Sequence, residues 1–179
     1  MTQKFNIRLN NDWVNILKSS NIELDNTKGY FSSTNTEDVL NELYERFMLE
    51  VVNKELSIMS KGQPVYITGT GDAKFAYAFD DLSINVAGFV YSDLINPDAS
   101  GLIKTEGIIS MSISEWNTVL DDPTPNGLVE GQNYFVSQQN PGKITYLLDY
   151  DLTGSYIIPV GKALTQTHFK IDVDNIIGL

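Results

Sequence analysis

The sequence predicts a mainly β protein with one long helix. An N-terminal arm covers residues 1–33, a coiled-coil-like helical stem residues 34–60, and a C-terminal β-sandwich or barrel residues 61–179. Three observations lead there. Turn-forming clusters recur through the last two thirds of the chain with short apolar runs between them. Residues 37–60 contain neither Gly nor Pro, and apolar residues recur in them at steps of three and four. The first 33 residues are Asn-rich and hold too few large apolar side chains to build a core of their own.

Within the arm, Phe5, Ile7 and Leu9 alternate with polar residues as a short strand does, and Trp13, Val14, Ile16 and Leu17 then fall at helical spacing. An arm that cannot bury its own apolar residues packs on something else. Phe5, Ile7, Leu9, Trp13 and Leu17 are therefore the candidate anchoring residues.

At the stem, Thr34 followed by Glu37 fits a capping box, in which hydroxyl and carboxylate satisfy the free amides of a helix start. Leu40, Tyr44, Phe47, Val51 and Ile58 then make a seam if Lys54 is its polar member. A second row, Val39, Leu43, Leu49, Val52, Leu56 and Met59, broadens the apolar face. About 25 helical residues span roughly 37 Å. A stripe this wide either lies across the chain's own sheet or is covered by copies of itself. The small β region available favours the second, with Leu40, Tyr44, Phe47, Val51 and Ile58 as the oligomer interface.

Strands are expected at 64–68, 74–79, 84–91, 101–113, 133–137, 144–148, 155–161 and 168–173. One helical turn is expected at 114–120, with Ser114 as its cap. The turns between these runs include Gly69-Thr70-Gly71-Asp72, Asn96-Pro97-Asp98 and Asn140-Pro141-Gly142. Evenly spaced short strands of this kind suit a sandwich or barrel.

Composition excludes several chemistries. Lys and Arg number 12 and Asp and Glu 23, a net charge of −11, with no basic cluster to release counterions from a nucleic acid. Cys is absent, so disulfides and thiolate chemistry are out; a single His168 rules out a multi-His metal site within one chain. Residues 1–20 carry two short apolar groups broken by Asn10, Asn11 and Asp12, neither a signal core nor a membrane span. A soluble protein without cofactor, nucleic-acid partner or membrane insertion is expected.

Four constellations merit weighing. Gly69-Thr70-Gly71 lacks the third glycine and the Lys-Ser/Thr of a phosphate loop and has Asp72 beside it, so it reads as a hairpin turn. The carboxylate pairs Asp80/Asp81, Asp121/Asp122, Asp149/Asp151 and Asp172/Asp174 suit glycoside hydrolysis or calcium only if both members converge on one point. All four border turns, where Asp bonds its own backbone. Asp149 to Gly154 starts like a calcium loop without the later bidentate Glu. His168 has no nucleophile motif near it and reads as structural. Trp116 with Tyr66, Phe75, Tyr77, Phe79, Phe89, Tyr91, Tyr134 and Phe135 can stack on sugars, or simply pack strands.

Residues 30–47, Tyr-Phe-Ser-Ser-Thr-Asn-Thr-Glu-Asp-Val-Leu-Asn-Glu-Leu-Tyr-Glu-Arg-Phe, resemble a helix-start segment common in tailed-bacteriophage virion proteins. Gly-Gln-Pro-Val-Tyr-Ile at 62–67, Gly-Gln-Asn-Tyr-Phe-Val at 131–136, Pro-Gly-Lys-Ile-Thr at 141–145 and Val-Gly-Lys-Ala-Leu at 160–164 resemble, in that order, a small β module of phage head fibres, tail fibres and capsid-decorating proteins. The resemblance implies a non-enzymatic virion component, usually a homotrimer, anchored on capsid or tail by its N-terminal arm and showing a β tip outward. This chain differs in having a very short stem and no fibre shaft. The alternative from another class is a carbohydrate- or receptor-binding module of a tail or baseplate, which would meet a host-surface glycan. A depolymerase-like enzyme is a third.

Overall fold

The structure, a computed structural model, describes residues 3–9, 12–18, 47–69, 71–79, 81–122, 126–149, 153–173 and 176–178. The chain divides into two compact units, residues 1–47 and 48–179. Among the described residues it is mainly β, and its only helix of seven residues or more is short.

The first unit contains a hairpin. Strands β1 (Gln3–Leu9) and β2 (Asp12–Lys18) run antiparallel, with Phe5 opposite Ile16, Ile7 opposite Val14 and Arg8 opposite Trp13. The helical spacing expected around Trp13 to Leu17 is thus replaced by strand. Val14 and Ile16 are β-branched and stiff at χ1, and a complementary strand lies two residues away.

The long helical stem is also overturned. Phe47 has helical backbone, but Met48–Asn53 is strand β3 and Met59–Ser60 is strand β4. Leu40 and Tyr44, with the rest of 19–46, lie outside the described residues. Two local causes are visible. Met48-Leu49-Glu50-Val51-Val52 is nearly continuously apolar and ends in two β-branched residues, so it serves a strand buried between neighbours as well as it serves a helix. Asn53 then closes the strand: its Oδ1 accepts from the Glu55 N–H at 2.8 Å, and its Nδ2 donates to the carbonyls of Ser57 at 2.9 Å and Ile95 at 2.8 Å. A side chain that bonds its own backbone two residues on makes an Asx turn, which competes directly with helix. Val51 is consequently a core residue of its own chain, 1% exposed, and is lost to any seam between copies.

In the second unit β3 joins β5 (Pro64–Thr68), β6 (Asp72–Phe75), β7 (Val86–Val90) and β9 (Ser100–Lys104) in a closed barrel of order β3-β6-β5-β7-β9. β3 closes it, parallel to β6 and antiparallel to β9. Closure leaves no open edge in this sheet. Val51, Met59, Val65, Ala73, Val90, Ile95 and Ile103 fill its core. β4 forms a ribbon with β8 (Leu94–Ile95).

A second sheet, in the order β10-β15-β14-β11-β12, contains β10 (Gly107–Ser110), β11 (Asn133–Val136), β12 (Ile144–Thr145), β14 (Pro159–Ala163) and β15 (His168–Ile171). A small ribbon pairs β13 (Tyr156–Ile157) with β16 (Ile177–Gly178). Helix α1 (Ile113–Val119) is capped by Ser112, two residues before the expected cap, in a complete capping box with Glu115. Its Trp116 is fully buried against Phe169, ring centroids 5.8 Å apart, in a core shared with Tyr134, Ile109, Leu120, Leu128, Ile144 and Val160. The barrel meets this core through β7: Phe89 belongs to the second core and Val90 to the first, the period-two alternation of a strand buried on both sides. Gly88, directly before Phe89, is required by space, since a Cβ there would stand 2.4 Å from the Lys104 carbonyl oxygen.

The strand expected at 101–113 is broken at 105–106, ahead of Gly107, which opens β10 at a φ of 94° that suits glycine. That expected at 144–148 stops at Thr145, whose Oγ1 accepts from the Leu147 N–H at 2.9 Å.

Candidate functional site

A cleft of about 580 Å3 opens beside the C-terminal end of α1. Its walls are the loop 126–130, the β14–β15 turn at 165–167, Asp122 and Tyr146. Local hydrogen bonds hold the walls in place. Leu120 bridges to Ile144, and the Asp121 N–H donates to the Ile144 carbonyl at 2.9 Å, so the chain leaves the helix extended along β12. Gly127 N–H donates to Asn117 Oδ1 at 2.7 Å, Leu128 N–H to the Gln166 carbonyl at 3.0 Å, and Val129 N–H to the Tyr134 hydroxyl at 2.9 Å. Gly127 sits at φ 71° with its would-be Cβ 2.9 Å from the Gln166 carbonyl oxygen, which lets loop and turn approach closely.

The Asp121/Asp122 pair does not converge. In extended chain, successive side chains point to opposite sides. Asp122 lines the large cleft, while Asp121 lines a second, of about 380 Å3, with Ser137, Gln138 and Asp149. Asp121 is fastened there: its carboxylate accepts from the Ser137 hydroxyl and, at 2.7 Å, from Asn140 Nδ2. Ser137 Oγ in turn accepts from the N–H groups of Gln139 and Asn140, each at 2.9 Å. Asp121 thus fastens the 137–140 turn through distant side chains rather than through its own backbone.

Asp122 is set differently. Its Oδ1 accepts from Thr145 Oγ1 at 2.7 Å. Partial burial pushes its carboxyl above the usual carboxylate range, with the Asp121 charge adding to the rise, while Thr145 and the Tyr146 N–H pull the other way. Behind it Tyr134 is fully buried, and burial pushes its phenol up to about 12, against the Val129 N–H and with help from Asp122 and Tyr146. Tyr134 holds Tyr146 edge-on at 5.8 Å.

The other candidates lie apart. His168 is exposed, its Nδ1 3.0 Å from Thr165 Oγ1 and 2.9 Å from Thr167 Oγ1. Trp116 points inward and donates from Nε1 to the Thr167 carbonyl at 3.1 Å, and Phe89 and Tyr134 are core residues, so the aromatic series forms no single platform. Phe79 and Tyr91 are exposed; the Lys61 and Lys104 ammonium groups sit 5.4 and 5.5 Å from the Tyr91 ring centroid. Asp81 accepts from the Tyr156 hydroxyl. Asp80, Asp151 and Asp174 are outside the described residues, and no group of three or more His, Cys, Asp or Glu placed to hold a metal occurs among those described. Of the expected interface residues, Ile58 is exposed and Val51 buried. The arm residues Phe5, Ile7 and Leu9 lie on β1, and Trp13 and Leu17 on β2.

Sequence reasoning read 122–127 as a turn but gave it no site, and missed Tyr146 and the 165–167 turn as site residues. The available signal was Asp121-Asp122 directly after a capped helical turn, followed by Asn126-Gly127. Comparison with protein families, curated proteins and solved structures gives no match to this chain.

Proposed function

We propose that this protein is a non-enzymatic structural component of a bacteriophage virion. In this reading it is a homotrimeric short fibre or decoration protein, held on capsid or tail by residues 1–33 and facing outward with the β module. The observation behind the assembly is the exposure of apolar residues on and beside the β4–β8 ribbon. Met59 and Ile95, opposite one another in the β4–β8 ribbon, are both buried. Ile58 and Leu94, one step along on the other side, are 47% and 62% exposed, and Leu56 nearby in the chain is fully exposed. Full burial is worth about 1.5–3 kcal/mol for a fully exposed side chain such as Leu56 and less for the part-covered Ile58 and Leu94, so a neighbouring copy covering them is favoured. The carboxylates, by contrast, are used as fasteners: Asp98 with Lys54 at 2.8 Å, Glu115 with Ser112, Asp121 with Ser137. The virion assignment is supported by the resemblance of the segments now placed on β5, β11, β12 and β14.

Sedimentation equilibrium of the full chain tests the assembly. Three chain masses are expected, falling to one in Leu56→Ser/Leu94→Ser; a wild-type monomer at every concentration overturns it. An antibody to residues 62–179 should label intact particles, and labelling confined to unassembled protein overturns display on the virion.

A further inference from the structure

We propose that the cleft between Asp122, Tyr146 and the 165–167 turn binds a neutral glycan, one or two hexose units in length. The inference deepens the reading of the β module as the displayed part and rests on it.

Size comes first. About 580 Å3 lies well within the range of small-molecule sites, roughly 300–1,000 Å3, and accommodates a sugar of that length. Charge then narrows the class. Among the described wall residues the ionisable side chains, apart from the Tyr146 phenol, are the carboxylates of Asp122 and Glu130, with no Lys or Arg. In a chain of net charge −11 such a cleft repels phosphate, sulfate and carboxylate groups.

The polar groups favour hydroxyls over amines. An ammonium group needs acceptors alone, whereas the walls mix acceptors with donors in the Asn126 and Gln166 amides, the Thr165 and Thr167 hydroxyls being engaged within their turn and with His168 Nδ1. Sugar hydroxyls both donate and accept, and satisfy a mixed set. Asp122 supplies a fixed acceptor. Its carboxylate has about four lone-pair sites, of which Thr145 Oγ1 uses one, so it is oriented and still has capacity for a pair of adjacent hydroxyls. Tyr146, half-buried and braced edge-on by Tyr134, gives the apolar wall on which the C–H face of a pyranose packs.

Preorganisation is built in. The loop bearing Asn126 is tied at Gly127, Leu128 and Val129 to α1, the 165–167 turn and Tyr134, so binding need not order it.

The experiment is a glycan array probed with the full chain, containing neutral hexose oligomers, sialylated and sulfated glycans, and amine-terminated linkers. Hits are then titrated calorimetrically against wild type, Asp122→Asn and Gln166→Ala. Neutral glycans alone should bind, and both variants should weaken binding at least tenfold. Gln166 is exposed, so Gln166→Ala folds even if Asp122→Asn does not. Backbone amide NMR of the wild type should show ligand-induced shifts at Gly127 and Thr165–Thr167. The proposal is overturned if nothing neutral binds, if only anionic or amine-bearing ligands bind, or if neutral binding is unchanged in the variants or shifts amides elsewhere. Oligomeric mass and particle labelling are read separately, so loss of glycan binding with a trimer intact counts against this site alone.

Discussion

Val51→Ala separates a barrel strand from a helical stem at one residue. Val51 is 1% exposed and packs with Met59, Val65, Val90 and Ile103. Removing two buried methyl groups forfeits about 1.6 kcal/mol at roughly 0.8 kcal/mol each. Roughly 50 Å3 of vacated volume at about 24 cal/mol/Å3 adds about 1 kcal/mol if the barrel cannot collapse on it. A closed sheet with β3 paired on both sides resists collapse, so the loss is about 2–3 kcal/mol, or about 5–10 °C in melting temperature. Leu56→Ala in the same stretch is the control: Leu56 is fully exposed, and the substitution should change unfolding free energy by less than about 0.5 kcal/mol at concentrations where the chain is monomeric. In a solvated helix Val→Ala would instead be neutral or stabilising, because alanine is the better helix former. The assay is urea unfolding followed by far-UV dichroism at two protein concentrations tenfold apart. A Val51→Ala loss below about 0.5 kcal/mol, or one that disappears on raising the concentration, would refute the assignment of Val51 to its own chain's core.

Other outcomes follow from single contacts. Gly88→Ala should destabilise by about 2 kcal/mol or more, read by thermal melting, because its Cβ would collide with the Lys104 carbonyl backbone across β7 and β9, where no side chain can move aside. Tyr134→Phe leaves the Val129 N–H without its acceptor and should cost about 1–3 kcal/mol in urea unfolding. Spectrophotometric titration should show Tyr134 ionising near pH 12; since the folded state holds that proton above the ordinary value of 10.0, stability present below pH 10 is lost as pH rises toward 12. Ser112→Ala should weaken the start of α1 by about 1 kcal/mol through the lost cap hydroxyl. The Ser112 hydroxyl and N–H hold the Glu115 carboxyl below its ordinary range, so the stability that pair contributes is present above the unfolded value of 4.5 and lost as pH falls through the folded one. The wild-type advantage over Ser112→Ala should therefore shrink in acid unfolding experiments.

The β module was legible because its signals are local. Turn clusters bracketed Pro64–Thr68, which the structure reproduces residue for residue, and placed β7, β11 and β15 within two residues of their observed ends, while the strand expected at 155–161 is divided between β13 and β14. The stem was misread because residues 47–52 satisfy two periods at once. Apolar side chains at nearly every position match both a wide helical stripe and a strand buried on both sides, and only tertiary partners decide. Here β6 and β9 decide for strand, and both lie later in the chain. Asn53 was the overlooked local clue, since an Asn that turns the backbone is a stop signal even without Gly or Pro. In the candidate site, the carboxylate pair at 121–122 was visible, but its divergence was not. That depends on the extended backbone after α1, set by the Leu120–Ile144 bridge. Tyr146 and the 165–167 turn come to the cleft from β12 and from between β14 and β15, through pairings no local pattern encodes.

Amide hydrogen exchange in the full chain addresses the account most directly. Val52, Asn53 and Lys54 donate their N–H groups to the carbonyls of Gly71, Ala99 and Ala73 at 2.9, 3.0 and 2.9 Å. If this segment closes the barrel, those three amides are protected to the level of global unfolding, equally in monomer and oligomer, with strand-type 13Cα shifts. Fast exchange there, or protection that arises only on self-association and with helical shifts, would contradict the barrel and restore the stem.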